Sequence, residues 1–386
     1  PHIGRRPGAS SSRAQAVAKM RSLTDKAEAM FRKVHLDLPL TLLLLILAAG
    51  GLLILYSGSG QMMGMVERQA IHFAIGMVVM AIAAQIPPRI YRNLAPWAYL
   101  IGVLALVGVL VMGVGAKGAQ RWLALPGLPR FQPSELVKLA LPLTVAWYMS
   151  RHPVPPKFTH LLKAVIIIAI PTVLILKQPD LGTSILIFTS GALVLFFAGM
   201  SWWLILSCVS LVAACAPLMW FFVMREYQKQ RVLTFLNPES DPLGSGWNII
   251  QSKTAIGSGG IDGKGFLQGT QSQLEFLPES HTDFIIAVLA EELGLIGVLI
   301  LLSVYFLIIM RCLYLSSRCE TLFGRLLSGS LSVTFFIYVF VNIGMVSGIL
   351  PVVGVPLPLV SYGGTSVVSL LTAFGVLMSM ATHRRS

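Results

Sequence analysis

The sequence predicts an all-α, polytopic membrane protein with about ten transmembrane helices, and three observations support this fold class. Of the 386 residues, 55% are hydrophobic and 12% are charged, whereas soluble domains contain about 25% charged residues. The mean hydropathy is +0.77. The apolar residues form continuous runs long enough to cross a bilayer, and they do not alternate with polar residues, which excludes a transmembrane β-barrel.

Ten apolar runs define the predicted spans. In chain order they cover residues 40–56, 70–86, 97–114, 135–149, 161–176, 181–199, 202–224, 284–310, 325–347 and 364–382. The runs at 135–149 and 161–176 are short for a span, which needs roughly 17–25 residues. We therefore expect both to extend into flanking residues.

The domain organisation follows from these runs. We predict a cytoplasmic leader at residues 1–39 and a single ten-helix transmembrane domain at residues 40–383, with a large exterior loop at 225–282. The start at 1–19 has no initiator Met and is expected to be a cloning remnant or a native tail. Apolar residues at helical spacing over 14–34 fit an interfacial helix, and a solvated tail fits equally well.

The basic residues orient the predicted bundle, because cytoplasmic segments of membrane proteins carry an excess of Lys and Arg. With both termini inside, the cytoplasmic side holds 18 of the 29 basic residues and the exterior holds 11. The orientation depends on the leader, which contributes eight of the 18. The net charge of +13 is explained by the membrane and does not predict nucleic acid binding.

Charged and polar residues cluster in the segments predicted to lie on the exterior face. An ionisable group at a membrane boundary is costly, so it is a functional candidate by default. Asp283 immediately precedes the eighth run, and Glu135 and Lys138 share one helical face at the start of the fourth. The other candidates in these segments are Lys117, Arg121, Trp122, Gln132, Ser134, Asp180, His281, Thr282 and Ser361. We expect the group to converge on one exterior cavity.

The exterior segment Gly348–Gly364, which contains Ser361, is apolar but unsuited to a regular helix. Its prolines, Pro351, Pro356 and Pro358, cannot donate backbone hydrogen bonds. Irregular backbone at membrane depth is tolerated only when it is buried in protein or lines a cavity. The segment is expected to wall the site, and a packed re-entrant loop is the alternative.

Several candidates also have a purely structural interpretation. Glu135 and Lys138 fit an ion pair between helices, and Asp180 with Lys177 fits a solvated turn. Asp283 fits a helix N-cap.

Four further residues have structural alternatives of the same kind. Arg121 and Trp122 fit an interfacial anchor pair. Glu291 and Glu292, further along the eighth run, are interpreted as part of an internal hydrogen-bond network. His281 alone does not predict a metal site, and no metal ligands are predicted.

The sequence closely resembles the SEDS (shape, elongation, division and sporulation) family, and most nearly its elongation branch. The resemblance covers about Val34 to Arg385. Its most specific motifs are Lys117–Leu123, Arg130–Glu135, Gln178–Ser184, Asn237–Asp283 and Pro351–Ser366.

The resemblance implies a ten-helix SEDS fold and a peptidoglycan glycosyltransferase that polymerises lipid II on the outer face of the bacterial cytoplasmic (inner) membrane during cell elongation. It also implies a complex with a class B penicillin-binding protein, the transpeptidase that crosslinks the strands. The family's catalytic aspartate matches Asp283, its glutamate and lysine match Glu135 and Lys138, and its Arg-Trp pair matches Arg121 and Trp122.

The expected reaction transfers the growing glycan from undecaprenyl pyrophosphate to the GlcNAc 4-hydroxyl of lipid II with inversion. Asp283 is the predicted general base. Lys117, Arg121 and Lys138 are the groups expected to stabilise the leaving pyrophosphate. No cofactor is predicted with certainty, and a divalent cation bound with the pyrophosphate is compatible with this chemistry.

Two other functions remain open. A lipid II flippase or transporter also needs many helices and intramembrane charges, but such proteins often contain internal repeats, and none is visible here. A non-enzymatic scaffold for a transpeptidase explains the helices but not the cluster of carboxylates and cations.

Overall fold

The computed structural model describes residues 34–116, 119–123, 131–224, 226–240, 245–273 and 280–383. The predictions for most of the leader, for Lys117 and for Arg130 lie outside these residues. Within them the protein consists of α-helices joined by turns, with one pair of short strands. The predicted all-α fold class is therefore confirmed.

Thirteen α-helices are present in the described part of the chain. They are α1 (Leu38–Gly58), α2 (Met63–Gln85), α3 (Pro88–Met112), α4 (Pro133–Met149), α5 (Phe158–Lys177), α6 (Leu181–Phe197), α7 (Trp202–Leu218), α8 (Glu226–Leu236), α9 (Ser245–Gly259), α10 (Thr270–Gln273), α11 (Ile285–Ser317), α12 (Leu322–Val346) and α13 (Gly364–Thr382). A π-helical turn, Met219–Val223, extends α7.

Each predicted span coincides with one of these helices. Among the described residues, eight helices are long and apolar enough to cross a membrane, and they are α1, α2, α3, α5, α7 with its π-helical extension, α11, α12 and α13. The run at 161–176 extends to 20 residues as α5, as expected. The helices α4 and α6 have 17 residues each. The prediction of about ten apolar helices agrees with this architecture.

The segment predicted as one long loop at 225–282 is largely helical where it is described. It contains α8, a short 3₁₀ turn at Pro238–Ser240, α9 and α10. Helix α9 packs on the transmembrane bundle, because Ser252 Oγ donates a hydrogen bond of 2.9 Å to Val346 O at the end of α12. The described residues between α7 and α11 are thus largely folded into helices.

A short hairpin precedes α4 and was not predicted. Strands β1 (Val114–Ala116) and β2 (Ala119–Trp122) pair antiparallel, with Val114 opposite Trp122. Leu123 and Phe131 exchange backbone hydrogen bonds of 2.8 and 3.0 Å directly after it. The hairpin fixes the position of Arg121 ahead of α4.

Several helices begin at side-chain caps that satisfy their first backbone N–H groups. Asp37 accepts a hydrogen bond of 3.0 Å from Leu40 N at the start of α1. Thr321 Oγ1 accepts one of 3.0 Å from Gly324 N at the start of α12. Asp37 also receives both Arg311 Nε and Arg311 Nη2, at 3.0 and 2.7 Å, so the same carboxylate joins α1 to α11.

Two apolar clusters hold the helices together. One joins α1, α2, α11, α12 and α13 and contains the fully buried Tyr305 and Phe284. The other joins α3, α4, α5 and α6 to α12 and α13. Helices α2 and α13 approach closely at Gly375, where an added Cβ would lie 2.4 Å from Met80 O. Only glycine permits that distance between two helix backbones.

Candidate active site

The centre of the candidate site is an irregular segment between α12 and α13, residues 349–363, which we call the proline-rich segment. It contains no helix, as the prolines predicted, and its second half is largely buried. Its buried residues include Val355, Leu357, Leu359, Val360 and Ser361. The prediction of irregular backbone packed within the protein is confirmed.

Three buried polar side chains hold the proline-rich segment by its backbone. Tyr305 Oη donates to Pro358 O at 2.6 Å, and Asn342 Nδ2 donates to Val355 O at 2.7 Å. Gln69 Nε2 donates to Ser361 O at 3.1 Å. Because the backbone of this segment has no helix of its own, these bonds replace the partners that a helix would supply.

Asp283 lies beside this segment, two residues before α11. Asn342 Nδ2 donates a second hydrogen bond, of 2.9 Å, to Asp283 O. The Asp283 carboxylate faces Gly354, where an added Cβ would lie 3.7 Å from Asp283 Oδ2. The N-cap of α11 is Phe284, so the interpretation of Asp283 as the helix cap is wrong.

His281 and Thr282 contact the proline-rich segment through their carbonyl groups. Tyr362 N donates to His281 O at 2.9 Å, and Ser361 Oγ donates to Thr282 O at 2.5 Å. Ser361 Oγ also accepts a hydrogen bond of 2.8 Å from Leu357 N. The hydroxyl of Ser361 therefore fixes the backbone ahead of Asp283.

Glu135 and Lys138 form the ion pair expected from their spacing, with Lys138 Nζ 2.6 Å from Glu135 Oε1. Ser369 Oγ of α13 donates to Glu135 Oε2 at 2.5 Å. Lys138 Nζ lies 5.7 Å from the centre of the Tyr338 ring on α12. A buried ion pair offsets its desolvation only when such additional partners are present.

Two small cavities meet at Lys138. One, of about 50 Å³, lies among α4, α12 and α13 and is lined by Glu135, Lys138, Tyr338 and Ser369 at its polar end and by apolar side chains elsewhere. The other, of about 20 Å³, is lined by Lys138, Tyr338 and the proline-rich segment, including Ser361. Lys138 therefore lies between the proline-rich segment and an apolar space inside the bundle.

Arg121 and Asp180 form a second ion pair, with Arg121 Nε 3.6 Å from Asp180 Oδ2. Arg121 Nη2 donates to Pro179 O at 2.8 Å. Asp180 is 6% exposed and caps α6 by accepting a hydrogen bond of 3.2 Å from Thr183 N. The interpretation of Asp180 as part of a solvated turn is therefore wrong.

The Arg121–Asp180 pair adjoins the same proline-rich segment. An added Cβ at Gly182, in the first turn of α6, would lie 2.5 Å from Val353 O. The two ion pairs and Asp283 thus adjoin one segment, whereas the convergence of all the candidates on one exterior cavity stays a prediction.

The remaining predicted site residues in the described part of the chain make none of the ion pairs or side-chain hydrogen bonds described above. Trp122 and Gln132 are partly buried, and Gln132 precedes Pro133 at the start of α4. Ser134 is buried, and its Oγ has no hydrogen-bond partner among the described residues. Among these residues there is also no group of three or more His, Cys, Asp or Glu side chains that could hold a metal ion.

Three residues of the site were missed by sequence reasoning. Tyr338 and Asn342 are spaced four apart on α12, and Ser369 lies in the second turn of α13. The available signal was a polar side chain inside an apolar span, since such residues usually face the bundle interior. Asn342 in particular is the only amide side chain in α12.

The family model for cell cycle proteins of the FtsW, RodA and SpoVE type matches residues 37–386. The chain belongs to this family. The predicted SEDS membership is therefore confirmed. Relatives with assigned names align with nearly the whole chain. The peptidoglycan glycosyltransferase MrdB of Escherichia coli (strain K12) is 58% identical over 353 residues, which cover 92% of this chain and 95% of that protein.

A more distant relative, the probable peptidoglycan glycosyltransferase FtsW of Geobacter metallireducens, is 37% identical over 362 residues, which cover 90% of this chain and 95% of that protein. The fold also matches solved structures. The rod shape determining protein RodA of Thermus thermophilus aligns with a TM-score of 0.66 at 28% identity, covering 89% of this chain and 95% of that one.

A chain of a peptidoglycan synthase complex aligns with a TM-score of 0.78 at 30% identity, covering 89% of this chain and 96% of that one. With its apolar helices and its MrdB relative, the protein is an integral inner-membrane protein.

Proposed function

We propose that this protein polymerises lipid II into glycan strands, with Asp283 as the general base and Lys138 and Arg121 as the cations that stabilise the leaving group. The protein is a peptidoglycan glycosyltransferase, the activity for which its 58% identical relative is named. The observation that carries the assignment of roles is the arrangement of one carboxylate and two ion pairs around the proline-rich segment.

Asp283 suits the role of base because its carboxylate lies beside Gly354, an exposed residue of the proline-rich segment. In the proposed step, the 4-hydroxyl oxygen of the acceptor GlcNAc forms a bond to the anomeric carbon of the donor. The bond from that carbon to the pyrophosphate oxygen breaks, and its electron pair leaves with the pyrophosphate. The hydroxyl proton passes to Asp283 as the new bond forms.

Lys138 and Arg121 suit the role of stabilising the departing pyrophosphate. Each is held by a carboxylate, Glu135 for Lys138 and Asp180 for Arg121, so each is fixed in place before the substrate binds. Donors that are already oriented stabilise developing negative charge at little reorganisation cost. The apolar cavity beside Lys138 is a natural place for the first carbons of the lipid chain.

A divalent cation is an additional part of this proposal. Glu135 already accepts hydrogen bonds from Lys138 and Ser369, and Asp180 accepts one from Thr183 N and forms an ion pair with Arg121. We therefore propose that any such ion binds with the substrate pyrophosphate. Activity lost in EDTA and restored by Mg²⁺ or Mn²⁺ supports a metal, and unchanged activity in EDTA contradicts it.

The orientation and the partner follow from the same reaction. We propose that the end of the bundle that carries Asp283 faces the exterior, where lipid II is polymerised, and that both termini are cytoplasmic. We also propose a class B penicillin-binding protein as the partner. The similarity to a chain from a peptidoglycan synthase complex supports a partner of this kind.

The test is polymerisation of lipid II by the purified protein in liposomes, with and without the transpeptidase. We expect Asp283→Asn to lower the rate about 10²- to 10⁴-fold, which is the usual contribution of a general base. The matched control is Glu239→Gln, an exposed carboxylate in the segment before α9. A folded Asp283→Asn variant that polymerises at the normal rate removes the base assignment.

The same liposomes separate the other functions. A flippase moves labelled lipid II across the bilayer without forming glycan. A scaffold forms no glycan and moves no lipid, whereas the proposed enzyme forms glycan.

A further inference from the structure

Helix α11, which follows Asp283, is broken inside its apolar run. Gly294 has φ 62° and ψ −162°, far from helical values, so the helix consists of a short part at residues 285–293 and a long part at 295–317. The short part begins two residues after Asp283. At a rise of about 1.5 Å per residue it is about 13 Å long.

The loop Gly259–Gly265 fills this break with its own backbone. Lys264 N and Gly265 N donate to Glu291 O and Glu292 O at 3.0 and 2.9 Å. In the other direction, Leu295 N and Ile296 N donate to the carbonyl oxygens of residues 260 and 261 at 3.0 and 3.2 Å. The loop therefore supplies the hydrogen bonds that an unbroken helix would make within itself.

At three glycine positions, the loop and the broken helix lie too close together for any side chain. An added Cβ at Gly294 would lie 2.3 Å from Ile261 O, and one at Gly263 would lie 2.2 Å from Glu292 O. At Gly259 it would lie 1.9 Å from Ala290 O. The loop is thus fixed against the short part of α11.

The side chain of Glu291 also stabilises the contact between this loop and the short part of α11. The Glu291 carboxylate is fully buried and receives Lys264 Nζ at 2.7 Å. It also accepts from Gln271 N at 2.9 Å and from Thr270 Oγ1 at 3.1 Å, both in α10. These bonds satisfy the buried carboxylate and join the loop, α10 and the short part of α11 into one unit. The sequence-based interpretation of Glu291 as part of a hydrogen-bond network is correct.

The short part of α11 therefore has two fixed ends. Asn342 and Ser361 hold residues 282 and 283 at one end, and Lys264 and Glu291 hold the other. Because a short helix moves as a rigid body, a shift at the Glu291 end is transmitted to Asp283.

We propose that Lys264 and Glu291 are positioning residues, which act through the short part of α11 to place the Asp283 carboxylate for proton transfer. This inference rests on the proposed role of Asp283 as base. Neither residue touches the substrate, so their loss reduces turnover and leaves substrate binding in place.

The test compares Lys264→Met and Glu291→Gln with a matched ion pair outside the network. Glu226 and Lys229 form such a pair in α8, with a separation of 3.0 Å. We expect kcat for lipid II polymerisation to fall about 10- to 100-fold in Lys264→Met, the range caused by a displacement of about 1 Å, with KM within about twofold. Glu226→Gln and Lys229→Met are expected to leave both parameters unchanged.

A second pair of substitutions keeps the test decisive if the single variants are unstable. Lys264→Cys combined with Glu291→Cys replaces the ion pair by two thiols on residues whose backbones are hydrogen-bonded. The exposed Cys208 and the partly exposed Cys215 are changed to Ser in all samples. We expect the reduced protein to have low kcat and the oxidised protein, in which the disulfide restores the link, to regain most of it.

The Asp283→Asn variant is measured in parallel to separate the two proposals. If Asp283→Asn is inactive while Lys264→Met and Glu291→Gln retain normal kcat, the positioning role is wrong and the base assignment stands. If Asp283→Asn is active, the base assignment is wrong and the positioning role is lost with it. A loss confined to thermal stability, or one that oxidation does not reverse, also overturns the positioning role.

Discussion

Tyr338 and Asn342 lie one helical turn apart on α12 and face the two halves of the candidate site. Asn342 Nδ2 donates to Asp283 O at 2.9 Å, and the Tyr338 ring centre lies 5.7 Å from Lys138 Nζ. Residues four apart on a helix are about 6 Å from one another. Helix α12 therefore sets the spacing between the proposed base and the proposed cation.

The first prediction concerns Asn342. In Asn342→Ala, the carbonyl groups of Asp283 and Val355 lose the amide that binds both. An unsatisfied buried polar group costs about 1–3 kcal/mol, so we expect the free energy of unfolding to fall by that amount. We also expect polymerisation to slow at least as much as in Lys264→Met, because Asn342 binds the Asp283 backbone directly.

Chemical denaturation in detergent measures the first effect, and the initial rate of glycan formation measures the second. The control is Ser303→Ala, where an exposed hydroxyl bonds only the preceding turn of α11. Normal rates in a folded Asn342→Ala variant would contradict the spacing role of α12.

The sequence predicted the fold well where the determinants are local. Continuous apolar runs are sufficient to locate apolar helices: each of the ten runs coincides with a helix, and among the described residues eight of these helices are long and apolar enough to cross a membrane. The Glu135–Lys138 pair follows from a spacing of three on one helix, and the irregular proline-rich segment follows from its prolines. Each of these features depends on residues that are neighbours in the chain.

The features that were missed depend on tertiary contacts. The break at Gly294 lies in an apolar run that reads as continuous, and it exists because a loop some 30 residues earlier inserts its backbone. Ser369 gives no sign of its bond to Glu135, which lies 234 residues away. The N-cap alternative for Asp283 arises because a carboxylate before a helix usually caps it, whereas here Phe284 is the N-cap and Asn342 binds the Asp283 backbone.

The second prediction compares the partners of Lys138. Glu135→Gln leaves a largely buried lysine without its counter-charge, and breaking a fully buried pair in this way costs about 3–5 kcal/mol, which is the upper limit here. Ser369→Ala removes one hydrogen bond to the pair and is expected to cost about 0.5–1.5 kcal/mol. We therefore expect Glu135→Gln to lower the free energy of unfolding more than Ser369→Ala does.

A double-mutant cycle measures the coupling directly. In Glu135→Gln combined with Lys138→Met, no charge is left unpaired, so the loss of stability is expected to be smaller than the sum of the two single losses. Additive losses would show that the two side chains do not stabilise each other. Activity is expected to be lost in every variant that lacks Lys138, whatever its stability.

The third prediction tests geometry at Arg121. Its guanidinium reaches both Pro179 O and Asp180, which a lysine ammonium, with a single nitrogen, cannot reproduce. We expect Arg121→Lys to retain the charge but to lower kcat/KM about tenfold or more, and Arg121→Ala to lower it further. Steady-state kinetics with lipid II make the comparison, and equal activity of Arg121→Lys and the unmodified protein would show that charge alone suffices.

The fourth prediction concerns the end of the bundle opposite Asp283, where the first and last described helices meet. The His35 and His383 rings stack with centres 3.7 Å apart, and Thr382 Oγ1 donates to His35 O at 3.3 Å. Burial, and secondarily the charge of His383, lowers the pKa of His35 from its ordinary value of 6.5. The folded protein therefore resists protonation of His35 more than the unfolded chain does.

It follows that the contribution of His35 to stability is constant well above pH 6.5 and declines as the pH falls below it, because the unfolded chain then binds the proton more readily. We expect the midpoint temperature of thermal unfolding in detergent to decrease when the pH is lowered from 7.5 to 5.5. His383→Asn removes the repulsion but not the burial, so it should reduce the decline, and His35→Asn should reduce it further. A decline of equal size in all three proteins would mean that other groups cause it.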